Sequence, residues 1–244
     1  MTRTVAIIQA RTGSTRLPGK VLRQVLGVPI LTHVVDRTRR ARLLDEVVVA
    51  TTRLPADDAI EVLARESGWP VVRGSEVDLL DRYLQAARAH QADVVVRITS
   101  DCPLIDPAVI DDVVQTLTDS RVDYASNSLE PRTFPRGLDV EAVRRAALER
   151  AGVEDASAAW REHATPYIYR HPELFRLERV ASPDDASAER WCVDTAEDLE
   201  LVKRIFEAIG NATFGWREAL AAVRAHPEWS ALNRDVVQKS VATE

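Results

Sequence analysis

Cysteine is scarce in this 244-residue chain: there are two, Cys102 and Cys192, far apart in sequence. So few thiols exclude a disulfide framework and a structural zinc site built on cysteine, and they read as free thiols in a reducing, cytoplasmic setting. Long apolar runs are missing too, which excludes a helix spanning a membrane. Arg3 is the only cation ahead of a short apolar run, and polar "QARTGSTR" follows it, which argues against a signal peptide. There is no excess of basic residues: 32 Lys and Arg stand against 38 Asp and Glu, a formal net charge of −6. A broad nucleic-acid-binding face needs the opposite balance, so no nucleic-acid partner is expected. Internal repeats and low-complexity segments are absent. What is left, 45% hydrophobic and 29% charged residues, is an ordinary globular composition, long enough for one large α/β domain with a substantial core.

In the first half, short continuous apolar runs alternate with helical patterns. "TVAII", "EVVVATT", "PVV" and "ADVVVRIT" read as strands buried on both faces. Between them "VPILTHVVDRTRRA", opened by Pro29, "PADDAIEVLARESG" and "SEVDLLDRYLQAARAH" carry apolar residues at helical spacing, and "PAVIDDVVQTLTDS" follows the last. This alternation predicts a mostly parallel sheet with helices on both faces, in which ligand loops gather at the carboxyl ends of strands. After about Asn127 the rhythm changes. "SLEPRTFPRGLDVEAV" reads as a loop entering a strand, "FRLERVAS" as an edge or hairpin strand, and "ERWCVDTAEDLELVKRIFEAIG" as a strand end followed by a helix capped by Thr195 with Asp198 in its first turn. "QKSVATE" closes the chain as a loose tail. The organisation expected is one domain over 1–244, with a nucleotide-binding half (1–127), an acceptor and dimerisation region (128–190), and a metal-ligand strand end with C-terminal helices (191–235).

Cations and glycines are concentrated in "QARTGSTRLPGK", directly after the first strand. A Walker loop is excluded, because five residues separate Gly13 from Gly19 and Val21 stands where Ser or Thr is needed. The dinucleotide fingerprint G-x-G-x-x-G is absent. A nucleotidyltransferase loop fits better: glycines let backbone N–H groups approach phosphates, Arg16 offers a bidentate fork and Lys20 a point charge. Solvated surface charge is the plain alternative. Asp101 follows the "VVVRITS" strand and Asp194 follows "RWCV". Each lies just past a predicted strand, so both can reach one cleft, where two carboxylates plus substrate phosphates and waters would satisfy magnesium. Alone, Asp101 reads equally as a turn before Pro103 and Asp194 as a helix cap. Asp106, before Pro107, reads as a cap.

"ARTGSTRLPGKVL" resembles the signature of cytidylyltransferases that activate sugar acids, the 3-deoxy-manno-octulosonate and acylneuraminate enzymes. "RGSEVDLLDRY", "RITSDCPLIDP", "FPRGLDVE", "REHATPYIY" and "VDTAEDLELV" are similar to the spore-coat polysaccharide branch, so the resemblance runs from Val5 to about Ile205. It implies a Rossmann-like nucleotide-diphospho-sugar transferase fold, magnesium dependence through Asp101 and Asp194, and a homodimer. It also implies a role near the nucleotide for the "DR" at Asp81 and Arg82, and sugar contact for His163, which otherwise reads as a satisfied helix histidine.

The nucleotide-binding residues expected are Ala10, Arg11, Gly13, Ser14, Arg16 and Lys20, then Arg73, Gly74 and Ser75 lining the base pocket, and Arg82. The acceptor candidates are Arg97, costly in a parallel strand unless paired, with Arg136, Asp139 and His163. Arg16, Lys20 and Asp101 are the catalytic set. Trp160, Tyr167 and Tyr169 read as packing or dimer contacts. The expected activity is transfer of CMP from CTP to an acidic sugar with release of pyrophosphate, for surface polysaccharide or glycoconjugate synthesis. Three alternatives remain: a glycosyltransferase consuming a nucleotide sugar, although no Asp-x-Asp stands at a strand end; a nucleotidyltransferase using another NTP and a non-acidic sugar or polyol; and a non-catalytic nucleotide-binding protein.

Overall fold

The computed structural model describes residues 2–238; of the tail expected over 238–244, all but Gln238 lies outside the described residues. Among the described residues nine strands run in chain order: β1 (Thr4–Gln9), β2 (Gln24–Val25), β3 (Val28–Pro29), β4 (Glu46–Thr52), β5 (Val71–Gly74), β6 (Val94–Thr99), β7 (Tyr124–Ser126), β8 (Glu141–Arg144) and β9 (Leu177–Arg179). The helices are α1 (Ile30–Thr38), α2 (Asp58–Glu66), α3 (Leu79–Ala89), α4 (Pro107–Asp119), α5 (Arg145–Glu154), α6 (Ala158–Arg161), α7 (Pro166–Arg170), α8 (Ala196–Ile209) and α9 (Trp216–Ala225). No helix among the described residues is long and apolar enough to cross a membrane.

Seven strands form one sheet in the order β5-β4-β1-β6-β8-β7-β9. β5, β4, β1 and β6 are parallel, and β8 joins β6 and β7 antiparallel. The continuous apolar runs follow from burial on both faces. Along β1, Ala6 and Ile8 pack with α1, α2, α4, α8 and α9, whereas Val5 and Ile7 pack with α3, α5 and α7. β4 and β6 alternate in the same way, with Val49 and Val96 on the first face and Val48 and Val95 on the second. Because β1 pairs with β4 on one side and β6 on the other, the chain reverses its winding between β1 and β6. That switch point leaves a crevice beyond their carboxyl ends.

The mostly parallel sheet with helices on both faces stands as expected, with local differences. α1 begins at Ile30 with Pro29 as its cap, because Val28 and Pro29 pair with Gln24 and Val25 in a short hairpin. α3 begins at Leu79, since the side chain of Asp78 accepts from the Asp81 N–H and caps it. Asp106 caps α4 by accepting from the Ala108 N–H, and Thr195 and Asp198 form a capping box on α8. The largest difference is at "RWCV", which is not a sheet strand.

Candidate active site

Two adjoining cavities occupy the crevice. One, of about 490 Å³, is lined by the loop after β1, including Ala10, Arg11, Gly13, Ser14, Arg16 and Lys20, and by Arg82. The other, of about 600 Å³, is lined by Arg132, Arg136, Asp139, Glu141, Cys102 and Cys192 among others. Arg97, Asp101, His163 and Asp194 line both. The wall between the cavities therefore carries the two aspartates.

The loop is held from beneath. Asp57, buried ahead of α2, accepts from the Thr12 N–H at 2.7 Å and the Thr12 hydroxyl at 2.7 Å, and its other oxygen takes the Thr52 hydroxyl. The Thr12 carbonyl then accepts from the N–H groups of Ser14 and Gly19. Gly19 takes a left-handed φ of 66°, which a side chain would resist, and this bend starts the 3₁₀ turn Lys20–Leu22.

Lys20 reaches across to both carboxylates. Its Nζ donates to Asp101 Oδ2 at 2.6 Å and to Asp194 Oδ1 at 2.7 Å. Burial alone would raise the Asp101 carboxyl. The Lys20 charge and hydrogen bond outweigh it, with help from Thr99 and Cys102, and hold it at about 2. For Asp194, too, burial and the nearby Asp101 push upward, but Lys20 and Arg190 win and its pKa is lowered. Both groups are ionised at neutral pH, and Lys20 stays protonated between them. Asp194 Oδ2 meets Arg16 at 2.8 Å and Arg190 at 2.8 Å.

Asp194 gets there by an unexpected route. Asp101 does follow a strand, β6, but the segment before Asp194 lies outside the sheet. It is pinned to loops: Arg136 N–H donates to the Glu189 carbonyl at 2.9 Å, Trp191 N–H to the Arg136 carbonyl at 2.7 Å, and Val193 N–H to the Asp101 carbonyl at 2.8 Å. The last bond sets the two aspartates side by side. The approach requires Gly137, whose φ is +107° and where a Cβ would lie 2.6 Å from the Cys192 backbone nitrogen. Gly137→Ala is expected to destabilise the fold by at least about 1–3 kcal/mol, the cost of a forced backbone conformation. It should also displace Asp194, lowering activity in whatever protein still folds; thermal melting and an activity assay on the soluble fraction check this.

Two carboxylate oxygens converging on one cationic nitrogen form a hard-oxygen site for a single positive charge. No cluster of three or more His, Cys, Asp or Glu that could hold a metal occurs among the described residues. The pair still suits magnesium, which commonly takes one or two carboxylates and completes its shell with phosphates and water.

The remaining candidates divide. Arg82 is buried, donates to the Ser75 carbonyl at 2.7 Å and has no ion-pair partner among the described residues, so its charge faces the smaller cavity unneutralised. Burial lowers its pKa. Arg73, expected in the base pocket, is drawn elsewhere. It pairs with Asp58 and Glu61 and donates to the carbonyls of Thr52 and Leu54, at the rim of the sheet. Gly74 and Ser75 likewise line neither cavity: Gly74 packs on the Arg82 side chain, and Ser75 supports Asp78 and Arg82. Arg97 pairs with Glu141 and also lines both cavities. Glu141 is itself buried and accepts from Tyr124 at 2.8 Å and Thr165 at 2.5 Å. Asp139 pairs with Arg132. Arg136 has no ion-pair partner among the described residues. His163 is kept neutral by burial first and then by Arg97. Both cysteines are free and buried, with burial pushing their thiols up. Trp160 and Tyr167 pack with His171, and Tyr169 packs near Tyr124.

Sequence reasoning passed over Arg190, Asn233 and Gln238. Arg190 stands one helical turn's worth of residues before Asp194, a spacing that in hindsight flags a partner. Asn233 and Gln238 carry no local signal.

A family model described as cytidylyltransferase matches residues 5–225. The spore coat polysaccharide biosynthesis protein SpsF of Bacillus subtilis is 34% identical over 212 residues, covering 84% of this chain and 87% of that protein. A 3-deoxy-manno-octulosonate cytidylyltransferase of Geobacter metallireducens is 28% identical over 239 residues, covering 85% and 92%. The solved structure of a cytidylyltransferase from Leptospira borgpetersenii superposes with a TM-score of 0.90 at 32% identity, covering 98% of this chain and all of that one.

Proposed function

Since the chain belongs to the cytidylyltransferase family, we propose that it transfers CMP from CTP to a hydroxyl of an acidic sugar, releasing pyrophosphate. The observation that carries the reading is Lys20 bridging Asp101 and Asp194 on the wall between two cavities. The smaller cavity takes the nucleotide, and the larger takes the acceptor.

In this reading the nucleotide's phosphates draw Arg16 and Lys20 away from the carboxylates and towards themselves. The Gly13 backbone and the buried Arg82 offer further donors. Asp101 and the Asp194 oxygen that Lys20 releases would then hold magnesium, which would supply Lewis-acid polarisation of a phosphoryl oxygen, while Arg190 stays on the other Asp194 oxygen. The acceptor hydroxyl attacks the α-phosphorus in line; its oxygen–phosphorus bond forms as the bond to the β-phosphate oxygen breaks. Arg16 and Lys20 then stabilise the charge gathering on the departing pyrophosphate. His163, neutral and facing both cavities, is placed to accept the hydroxyl proton. Positioning and electrostatics supply the acceleration without a covalent intermediate.

An acidic acceptor is favoured by Arg136. Arg97 and Arg132 are neutralised by Glu141 and Asp139, so among the described residues Arg136 is the larger cavity's arginine without an ion pair, open to a substrate carboxylate. The names of the Bacillus and Geobacter relatives, which concern a surface polysaccharide and a sugar acid, point the same way.

The test is a panel of nucleoside triphosphates against sugar acids, neutral sugars and polyols, scored by released pyrophosphate. CTP with a sugar acid is expected to give the strongest signal. Preference for another triphosphate, or for an uncharged acceptor, would refute that part of the reading. Arg136→Ala is expected to raise the acceptor KM by roughly tenfold to a hundredfold, the worth of a charge-assisted hydrogen bond, and to leave the KM for CTP in place.

A further inference from the structure

The two oxygens of Asp194 have different partners, and one partner cannot leave. Oδ1 faces Lys20 together with Asp101. Oδ2 faces Arg16 and Arg190. Arg16 sits on the glycine loop with a quarter of its side chain exposed, and its bond to the Val237 carbonyl at 3.1 Å is solvent-exposed, so it is free to turn towards a phosphate. Arg190 is not. Its Nε donates to Asp198 Oδ1 at 2.9 Å and its Nη2 to Asp198 Oδ2 at 3.1 Å, a fork on a carboxylate that is fully buried. Asp198 is fixed in turn by the N–H groups of Asp194 and Thr195 at 2.9 and 3.0 Å and by Asn233 Nδ2 at 2.9 Å. Asn233 Nδ2 also donates to the Arg190 carbonyl, and Arg190 Nη1 donates to Gln238. The segment after α9 thus returns to lock the guanidinium in place.

We propose that Arg190 is a specificity-determining residue: by holding Oδ2, it makes Asp194 a one-oxygen ligand and thereby selects a small octahedral cation, magnesium or manganese, over calcium. Calcium takes six to eight oxygens and readily accepts both oxygens of a carboxylate; magnesium demands a tight octahedron. An Asp194 free to offer both oxygens would relax that choice. Planar, bidentate geometry is what an arginine supplies and a lysine does not. The inference rests on the nucleotidyl-transfer reading and concerns only the residue behind the ligand.

The experiment measures binding rather than turnover. Manganese bound to the full-length protein is followed by electron paramagnetic resonance, with CTP present, the protein in excess and no acceptor. Magnesium and calcium are then titrated as competitors. Wild-type protein is expected to bind one manganese and to yield it to magnesium far more readily than to calcium. Arg190→Gln, which can still hydrogen-bond Asp198, is expected to narrow the magnesium-over-calcium preference by about tenfold, in line with the loss of an outer-shell partner. Arg190→Lys keeps the charge beside the buried Asp198 but loses the fork, so it is expected to narrow the preference as well, and it answers the question if Arg190→Gln fails to fold. An unchanged preference in a natively folded variant overturns the role of Arg190 while leaving the transfer reading intact. Absence of any bound manganese in the wild-type protein with CTP overturns both.

Discussion

Asp101→Asn is expected to cut pyrophosphate release at least about a hundredfold, the usual cost of removing one pre-organised charge at a developing transition state, in a protein that still folds but melts at a lower temperature for want of the Lys20 ion pair. The side chain keeps its shape and loses only its charge. Its backbone carbonyl, which accepts from the Val193 N–H, is untouched, so the segment carrying Asp194 stays in place. Lys20 retains its bond to Asp194 Oδ1. The cluster of Lys20, Arg16 and Arg190 against Asp101, Asp194 and Asp198 goes from balanced to one positive charge in excess. That excess favours a triphosphate anion, so CTP binding measured without metal should hold or tighten while turnover collapses. Near-full activity in purified Asp101→Asn protein would sink the metal assignment. Loss of CTP binding together with activity would mean that Asp101 shapes the nucleotide cavity instead.

Lys20→Ala is expected to move two affinities in opposite directions. Without nucleotide, Lys20 is the counter-ion that lets two half-buried carboxylates share a wall. Removing it sets two like charges against each other, and their relief is a divalent cation. Manganese binding to the nucleotide-free variant should therefore be tighter than to wild type. CTP affinity should fall by about 1.5–3 kcal/mol, the worth of a charged hydrogen bond, or tenfold and more. Isothermal titration of manganese alone and of CTP alone reads both. A parallel loss of both affinities, or no change in either, would exclude the exchange of Lys20 between carboxylates and phosphates.

The sign of the acidic limb follows from the same pair. Asp101 sits at about 2, below its ordinary 3.8. The ion pair with Lys20 therefore contributes its full stability above pH 4 and loses it as the pH falls towards 2.

The sheet was legible because parallel strands buried on both faces must be continuously apolar, and "TVAII", "EVVVATT" and "ADVVVRIT" have no other use. The loop after β1 was legible because cations and glycines beside a buried strand have few structural reasons to gather. Asp101 followed from β6. Asp194 does stand beside Asp101, but not at the end of a sheet strand: "RWCV" looks like a strand because it is buried, yet loops bury it. Arg73 looked like a pocket residue because it follows a strand, but Asp58 and Glu61 on the neighbouring helix claim its charge.

The sequence by itself determined the layers, the strand ends and the types of charge available, because periodicity and local chemistry act over a few residues. Only the tertiary structure decided which charge meets which. The pairing of Lys20 with Asp194 spans 174 residues and that of Arg190 with Gln238 spans 48. Contacts of that separation are set by the packing of the whole sheet and the close approach allowed at Gly137, neither of which leaves a mark in any short stretch of chain.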